Sequence, residues 1–451
     1  MSFSNPVSRR DFLRLSAASA AATVIAATPL PALADTTKPH PLTKAHSPDV
    51  LINWVKTIYD LVRQERFSPT SAARAYGGLA VAAYEAVVSG MPAHRSLAGQ
   101  LNDLTAGPVV AKGARIHWPI SLNAAVETAA LTLFADRSAE SRASISEYAQ
   151  SVRGGIGSMV PGDVASTSEE FGHAVGNHVA AWITTDGYAE ILGLPYDPPM
   201  GPGLWDRTPP NFGLALEPYW ERVRPMALPS VDFCAPPPPE RFSTEEGSAF
   251  YRQAMTVYET SQQIGDVERE IALFWRDNPD GSTGLPSGHW MLIACKVISD
   301  LGLDLAKASE VLAMVGISLT DAFSSCWTEK YRTNLLRPVT YIRNYIDGNW
   351  ASFVNSPAFP EYTSGHSVGS GAAAGTLTAI LGDLAFVDDT GVPYGRDTFH
   401  YASFTEAAEE AAISRLYGGI HYPMAIDVGL DQGAKVSRVV RDRVRLRKGS
   451  A

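Results

Sequence analysis

The sequence predicts an all-α protein made of two packed helical bundles joined by a proline-rich extended strap. Three observations carry that prediction. Apolar residues recur at helical spacing over 72–89, 121–136, 169–185, 266–277 and 288–299, and Ser243 with Glu246 forms a capping box ahead of a helix over 245–263. No Asn-Gly or Asp-Gly pair lies between two alternating runs, so no hairpin is expected. Finally, residues 195–239 hold 13 of the 31 prolines, a density that forbids a helix because each proline removes a donor and clashes with the preceding turn. Trp205, Phe212, Tyr219, Trp220 and Phe233 give this segment apolar side chains to bury, so a packed strap is expected rather than a free linker.

In chain order, residues 1–34 read as a twin-arginine export signal: Ser8-Arg9-Arg10-Asp11-Phe12-Leu13, a short Ala-rich apolar segment over 15–27, then Ala32-Leu33-Ala34. That segment falls short of the roughly 20 residues a span needs. No later segment is expected to be long and apolar enough to cross a membrane. The mature chain is expected to begin near Asp35 and to work in the periplasm or outside the cell, with an N-terminal helical half over 35–194, the strap over 195–239, and a C-terminal bundle over 240–451 that carries the chemistry. Its three cysteines allow one disulfide at most. A net charge of −10 argues against a nucleic-acid partner, which needs a basic face. The basic run over 438–448 suits the C-terminal end of a helix. His173 and His178, five apart, lack companion ligands and read as structural.

The chemistry-bearing residues crowd the second half. Lys330 and Arg337 are seven apart, nearly two helical turns, so both cations are expected on one side of a helix that Pro338 then ends. Ser364-Gly365-His366 opens an Ala- and Gly-rich stretch, which places a hydroxyl, backbone N–H groups and a histidine at a helix N-terminus suited to an oxyanion. Arg415 and His421 are six apart and would face different sides of a continuous helix, but Gly418-Gly419 breaks it and lets His421 turn back. Three cations, a hydroxyl, a glycine amide and two histidines form an inventory for a tetrahedral oxyanion that becomes five-coordinate.

Lys330-x(6)-Arg337-Pro338, Ser364-Gly365-His366 and Ser414-Arg415-x(5)-His421 together resemble the three-part signature of vanadium-dependent haloperoxidases and type 2 phosphatidic acid phosphatases, in their bacterial haloperoxidase-like branch. An earlier Ser-Gly-His, in Leu285-Pro286-Ser287-Gly288-His289-Trp290, precedes both other elements and is expected only to start a supporting helix. The resemblance implies vanadate as cofactor, with phosphate as its isosteric occupant, bound axially by His421. Lys330, Arg337, Arg415, Ser364 and Gly365 would hydrogen-bond its oxygens, and His366 would be the acid–base group for peroxide. The implied reactants are hydrogen peroxide, halide and a small organic substrate. Trp327 and Phe359 match halide-pocket positions, Phe359 leaning toward a chloride-type pocket, and Asp277 would support Arg415. A soluble phosphatase using a phosphohistidine is the rival reading. Its usual aspartate four residues after the histidine is Ala425 here, with Asp427 the nearest acid. A non-catalytic oxyanion-binding protein is the third. The oligomeric state is left open.

Overall fold

The structure, a computed structural model, describes residues 41–449; the export signal expected over 1–34 lies outside them. Helix α1, Asp49–Gln64, buries Leu51, Trp54, Val55, Ile58 and Val62, the one-sided stripe its sequence spacing dictates. Helix α2, Pro69–Val87, starts where Ser68 accepts from the Ser71 N–H at 3.2 Å with Pro69 in the first turn, and is buried almost all round. Its small residues let neighbours come close. Helices α3, Trp118–Leu133, α4, Ala139–Gly157, and α5, Gly162–Thr184, follow, with α3 lying along α5 where Gly172 and Gly176 meet the Ser121 and Ala125 carbonyls. A short α6, Tyr188–Ile191, leads into the strap.

The strap has no α-helix and is anchored along its length. Asp321, buried in the second half, accepts from three consecutive backbone N–H groups, Met226 at 2.6 Å and Ala227 and Leu228 at 2.7 Å. Leu204 pairs with Leu335 as an isolated antiparallel bridge. Leu216 donates its N–H to Ala358 O and accepts from the Trp327 indole and the Tyr331 hydroxyl. Trp205 and Trp220 are buried as expected, whereas Phe212 and Phe233 stay exposed.

The second half runs α7, Ala249–Gln263, α8, Asp266–Phe274, α9, Leu285–Asp300, α10, Leu305–Thr333, α11, Pro338–Tyr345, α12, Gly365–Leu381, α13, Phe404–Tyr417, and α14, Pro423–Arg443. Helix α7 begins later than the capping box suggests: Gly247 takes a left-handed φ of 78°, and Ser248 caps instead, accepting from Tyr251 N–H at 3.1 Å. Helix α8 stops at Phe274, three residues short of expectation, and the chain turns Asp277 inward. One expectation fails outright. Strands β1, Phe386–Asp388, and β2, Phe399–Tyr401, pair antiparallel; at three residues each they are too short to alternate visibly, and a long connection replaces the tight turn sought in the sequence.

Helix α10 also corrects the expectation about spans, since it is long and apolar enough to cross a membrane, but its apolar stretch is fully buried in the protein. It packs along α2, so one apolar core runs through both halves, from Leu51 to Leu446. Helices α12 and α14 also pack closely: a Cβ on Gly433 would strike the Val368 carbonyl. All three cysteines are free and buried.

Candidate active site

Lys330 and Arg337 do not share a helix. Helix α10 ends at Thr333, where Asn334 adopts a left-handed φ of 46° and returns its N–H to Lys330 O. Pro338 is the first residue of α11, and Arg337 before it is extended, as a residue preceding proline prefers. The two cations still converge, because both fold over 359–363. Lys330 Nζ donates to the carbonyls of Pro360, Glu361 and Thr363, which takes all three of its protons. Arg337 donates to Phe359 O and Ile420 O, both at 2.9 Å. Lys330 Nζ and the Arg337 guanidinium lie 5.1 and 4.9 Å from the Phe359 ring centre, and Phe359 packs on Trp327 at 4.7 Å.

Ser364 is the N-cap of α12, accepting from Ser367 N–H at 3.3 Å, so Gly365 and His366 occupy the first turn as expected. Arg415 lies in the last turn of α13, donating to Ser414 Oγ and Ala272 O. Gly419 then takes a φ of 74°, with Trp350 and Ser352 within 3.3 Å of where a Cβ would sit, and this turn aims His421 back at the cations. One pocket is lined by His366, His421, Gly365, Trp327, Phe359 and Asp277, with Pro69 of the first half also on its wall.

The tautomer of His421 follows from its neighbours. Arg337 Nη1 stands 3.2 Å from Nε2, and a guanidinium only donates, so Nε2 presents its lone pair. The proton therefore sits on Nδ1, 2.8 Å from Glu361 Oε1, which also accepts from Tyr422 N–H at 2.9 Å. Burial, then Arg337 and Lys330, hold His421 neutral far below the usual imidazole range. Burial pushes Glu361 up to about 7 against the pull of both cations. Burial first, then Arg415, depresses His366 likewise; one ring nitrogen bonds the Trp275 backbone and Nε2 has no partner. Burial lowers Lys330 to about 8, Arg337 to about 10 and Arg415 to about 9. Arg337 Nη2 and Arg415 Nη1 are buried donors without a protein partner. Buried charged donors left open in this way cost several kcal/mol unless an anion meets them. An oxyanion at His421 Nε2 fits that requirement.

Glu361 was invisible to sequence reasoning, which sought the orienting acid downstream. Asp427 is exposed on α14 and Ala425 donates no acid, whereas Glu361 lies upstream, three residues before Ser364. Its only sequence signal is a carboxylate inside an otherwise apolar turn. Asp277 bonds His289 and Arg396, at 2.8 and 3.3 Å, and reaches Arg415 through its field alone. The first Ser-Gly-His does start a helix, α9, and its His289 is clasped between Asp277 and Asp388. His173 and His178 bond Thr128 Oγ1 and Thr105 O, away from this site. No cluster of metal-ligating side chains occurs among the described residues.

Comparison with known proteins adds to this geometry. The family model of the VCPO second helical-bundle domain matches residues 310–448, and that of the twin-arginine translocation pathway signal sequence matches 6–26, so the chain carries an export signal. The fold superposes on the crystal structure of the first bacterial vanadium-dependent iodoperoxidase with a TM-score of 0.83 and 37% identity, over 91% of this chain and 98% of that one. Holo-type and apo-type bacterial vanadium-dependent chloroperoxidase match with TM-scores of 0.62 and 0.61 at 16% and 15% identity, over 84% of this chain and 92% and 95% of theirs, a likeness of fold alone. No curated protein matches the sequence.

Proposed function

The chain belongs to the bacterial vanadium-dependent haloperoxidase family, and from that premise we propose that it is an exported enzyme that holds orthovanadate through His421 and oxidises halide with hydrogen peroxide, iodide first. The observation that carries the proposal is His421 Nε2, turned toward Arg337 with Nδ1 held by Glu361, in a site where one buried guanidinium donor each of Arg337 and Arg415 has no protein partner. Bound there, vanadate supplies the Lewis-acidic centre at which peroxide becomes electrophilic toward halide. Glu361 fixes the His421 ring and its Nδ1 proton, so Nε2 is the atom that would hold the vanadate. Arg337 and Arg415 neutralise the anion and withdraw electron density from it. Lys330 adds charge while its hydrogen bonds hold the 360–363 turn. Ser364 presents Gly365 N–H and His366 at the start of α12. His366, neutral, lining the pocket and with Nε2 free of any protein partner, would be the group that takes and returns a proton when hydrogen peroxide enters the site. Phe359 and Trp327 make the dry wall along which a weakly hydrated halide approaches.

Iodide is favoured because it is the halide that loses electrons most readily and because the chain is 37% identical to an iodoperoxidase, although Phe359 leans toward a chloride-type pocket. The phosphatase reading gains from Glu361, which supplies the ring-orienting carboxylate that Ala425 does not. One preparation of the mature protein decides between them. Peroxide-dependent formation of triiodide without hydrolysis of p-nitrophenyl phosphate supports the haloperoxidase; hydrolysis without iodide oxidation supports the phosphatase.

A further inference from the structure

The motif left over by the proposed chemistry is Ser287-Gly288-His289. His289 is buried at the start of α9, with Nδ1 2.8 Å from Asp277 Oδ2 and Nε2 2.9 Å from Asp388 Oδ2. Both carboxylates are fully buried acceptors, so both ring nitrogens must donate and His289 is an imidazolium. Three elements meet on it. Asp388 comes from β1, the imidazole from α9, and Asp277 from the turn after α8, whose Trp275 ring lies 4.5 Å away, tilted by 32°. That turn is part of the pocket: Asp277 lines it beside His366, and the Trp275 backbone holds the His366 ring.

We propose that His289 is a positioning residue for the reaction: its two ion pairs fasten the turn that orients His366, and its charge, balanced against Asp277, sets the field in which His366 exchanges its proton. The proposal deepens the reading of His366 above and rests on it. The groups facing His366 are Arg415 and His289, which disfavour its protonated form, Asp277, which favours it, and the neutral His421. Those facing His289 are Asp277 and Asp388, with Arg396 beyond Asp277; Glu410 bonds the Trp275 indole, and Tyr59 and Tyr76 feel the Asp277 charge. Removing the His289 cation therefore moves His366 toward protonation, and removing the Asp277 anion moves it away. Loosening of the fold alone cannot give shifts of opposite sign from two ends of one ion pair.

The test reads ring protonation by NMR on histidine-labelled mature protein, without turnover, with His366 and His289 assigned by their own substitutions. His289→Gln is expected to raise the His366 midpoint by about half a unit or more, roughly threefold in protonated fraction at fixed pH. Asp277→Asn is expected to lower it, and the double substitution to bring it back toward wild type. Unmoved midpoints, or single shifts of the same sign, overturn the proposal. Should the substituted proteins fail to fold, the wild type alone still tests it: both His289 nitrogens must carry protons at pH 7.5, and a neutral ring there overturns it. If iodide oxidation is absent while the opposite shifts are found, the family activity fails and the positioning role stands.

Discussion

Replacing Glu361 by Gln keeps the size and one acceptor oxygen of the side chain while removing its charge. At pH 8, above the Glu361 value of about 7, the carboxylate accepts from His421 Nδ1–H at 2.8 Å and Tyr422 N–H at 2.9 Å in a fully buried setting. A hydrogen bond to a charged group contributes about 1.5–3 kcal/mol net against about 1 kcal/mol for a neutral one. The substitution therefore removes about 1–3 kcal/mol, and only the share that passes through the imidazole reaches Nε2 as lost basicity. Taking about half, about 0.5–1.5 kcal/mol, capture of vanadate weakens by roughly two- to tenfold at 1.4 kcal/mol per decade. Phosphate, held by charge and hydrogen bonds without a bond to Nε2, responds oppositely, because removing an anion beside Lys330 and Arg337 favours any bound oxyanion. Calorimetric titration of anion-stripped Glu361→Gln protein with orthovanadate and with inorganic phosphate measures both. The predicted result is weaker vanadate binding and phosphate binding that is unchanged or tighter. An equal loss for both anions, or none for vanadate, refutes the argument that Glu361 acts through the His421 ring.

Other substitutions and conditions separate the remaining roles. His366→Ala lowers peroxide-dependent turnover by about 10²–10⁴-fold while anion affinity stays within a few-fold, since no protein group depends on its Nε2; parallel losses in both measurements contradict an acid–base role. Asp321→Ala orphans the N–H groups of Met226, Ala227 and Leu228 and costs about 3 kcal/mol or more, read from the guanidinium midpoint; a cost under about 1 kcal/mol contradicts the anchoring of the strap. The pH dependence of stability follows from His289, raised from 6.5 to about 9 by Asp277 and then Asp388 against burial. A raised histidine value means the folded state binds the proton more tightly, so this contribution is complete below pH 6.5 and is lost as pH climbs through about 9. Denaturant midpoints should fall between pH 7 and 10, and a flat profile there contradicts the double ion pair.

Much of the fold was legible because it rests on local signals. The small residues of α2 and the apolar stripes of α3, α5 and α9 repeat at helical spacing, and the prolines of 195–239 exclude helix wherever they stand. The site's histidines and arginines were legible as types in an order, and Gly419 as the turn that brings His421 round. The features that escaped are set by partners distant in sequence. The end of α10 at Asn334 is held by the Leu204–Leu335 bridge to the strap, which no window around Lys330 contains. Glu361 is one of 47 acidic residues, and only its meeting with His421 sixty positions on distinguishes it. Asp388 sits on a three-residue strand with no periodicity to read, and its partner His289 lies 99 positions away. Pairings of this kind come from the packing of whole elements.

The most direct measurement is peroxide-dependent iodide oxidation by the mature protein, stripped of anions and divided between orthovanadate and phosphate. The account predicts turnover in the vanadate sample alone, abolished by His421→Ala, whose only lost atoms at the site are the imidazole that presents Nε2. Equal rates with phosphate, or a folded, vanadate-binding protein that oxidises no halide, would contradict it.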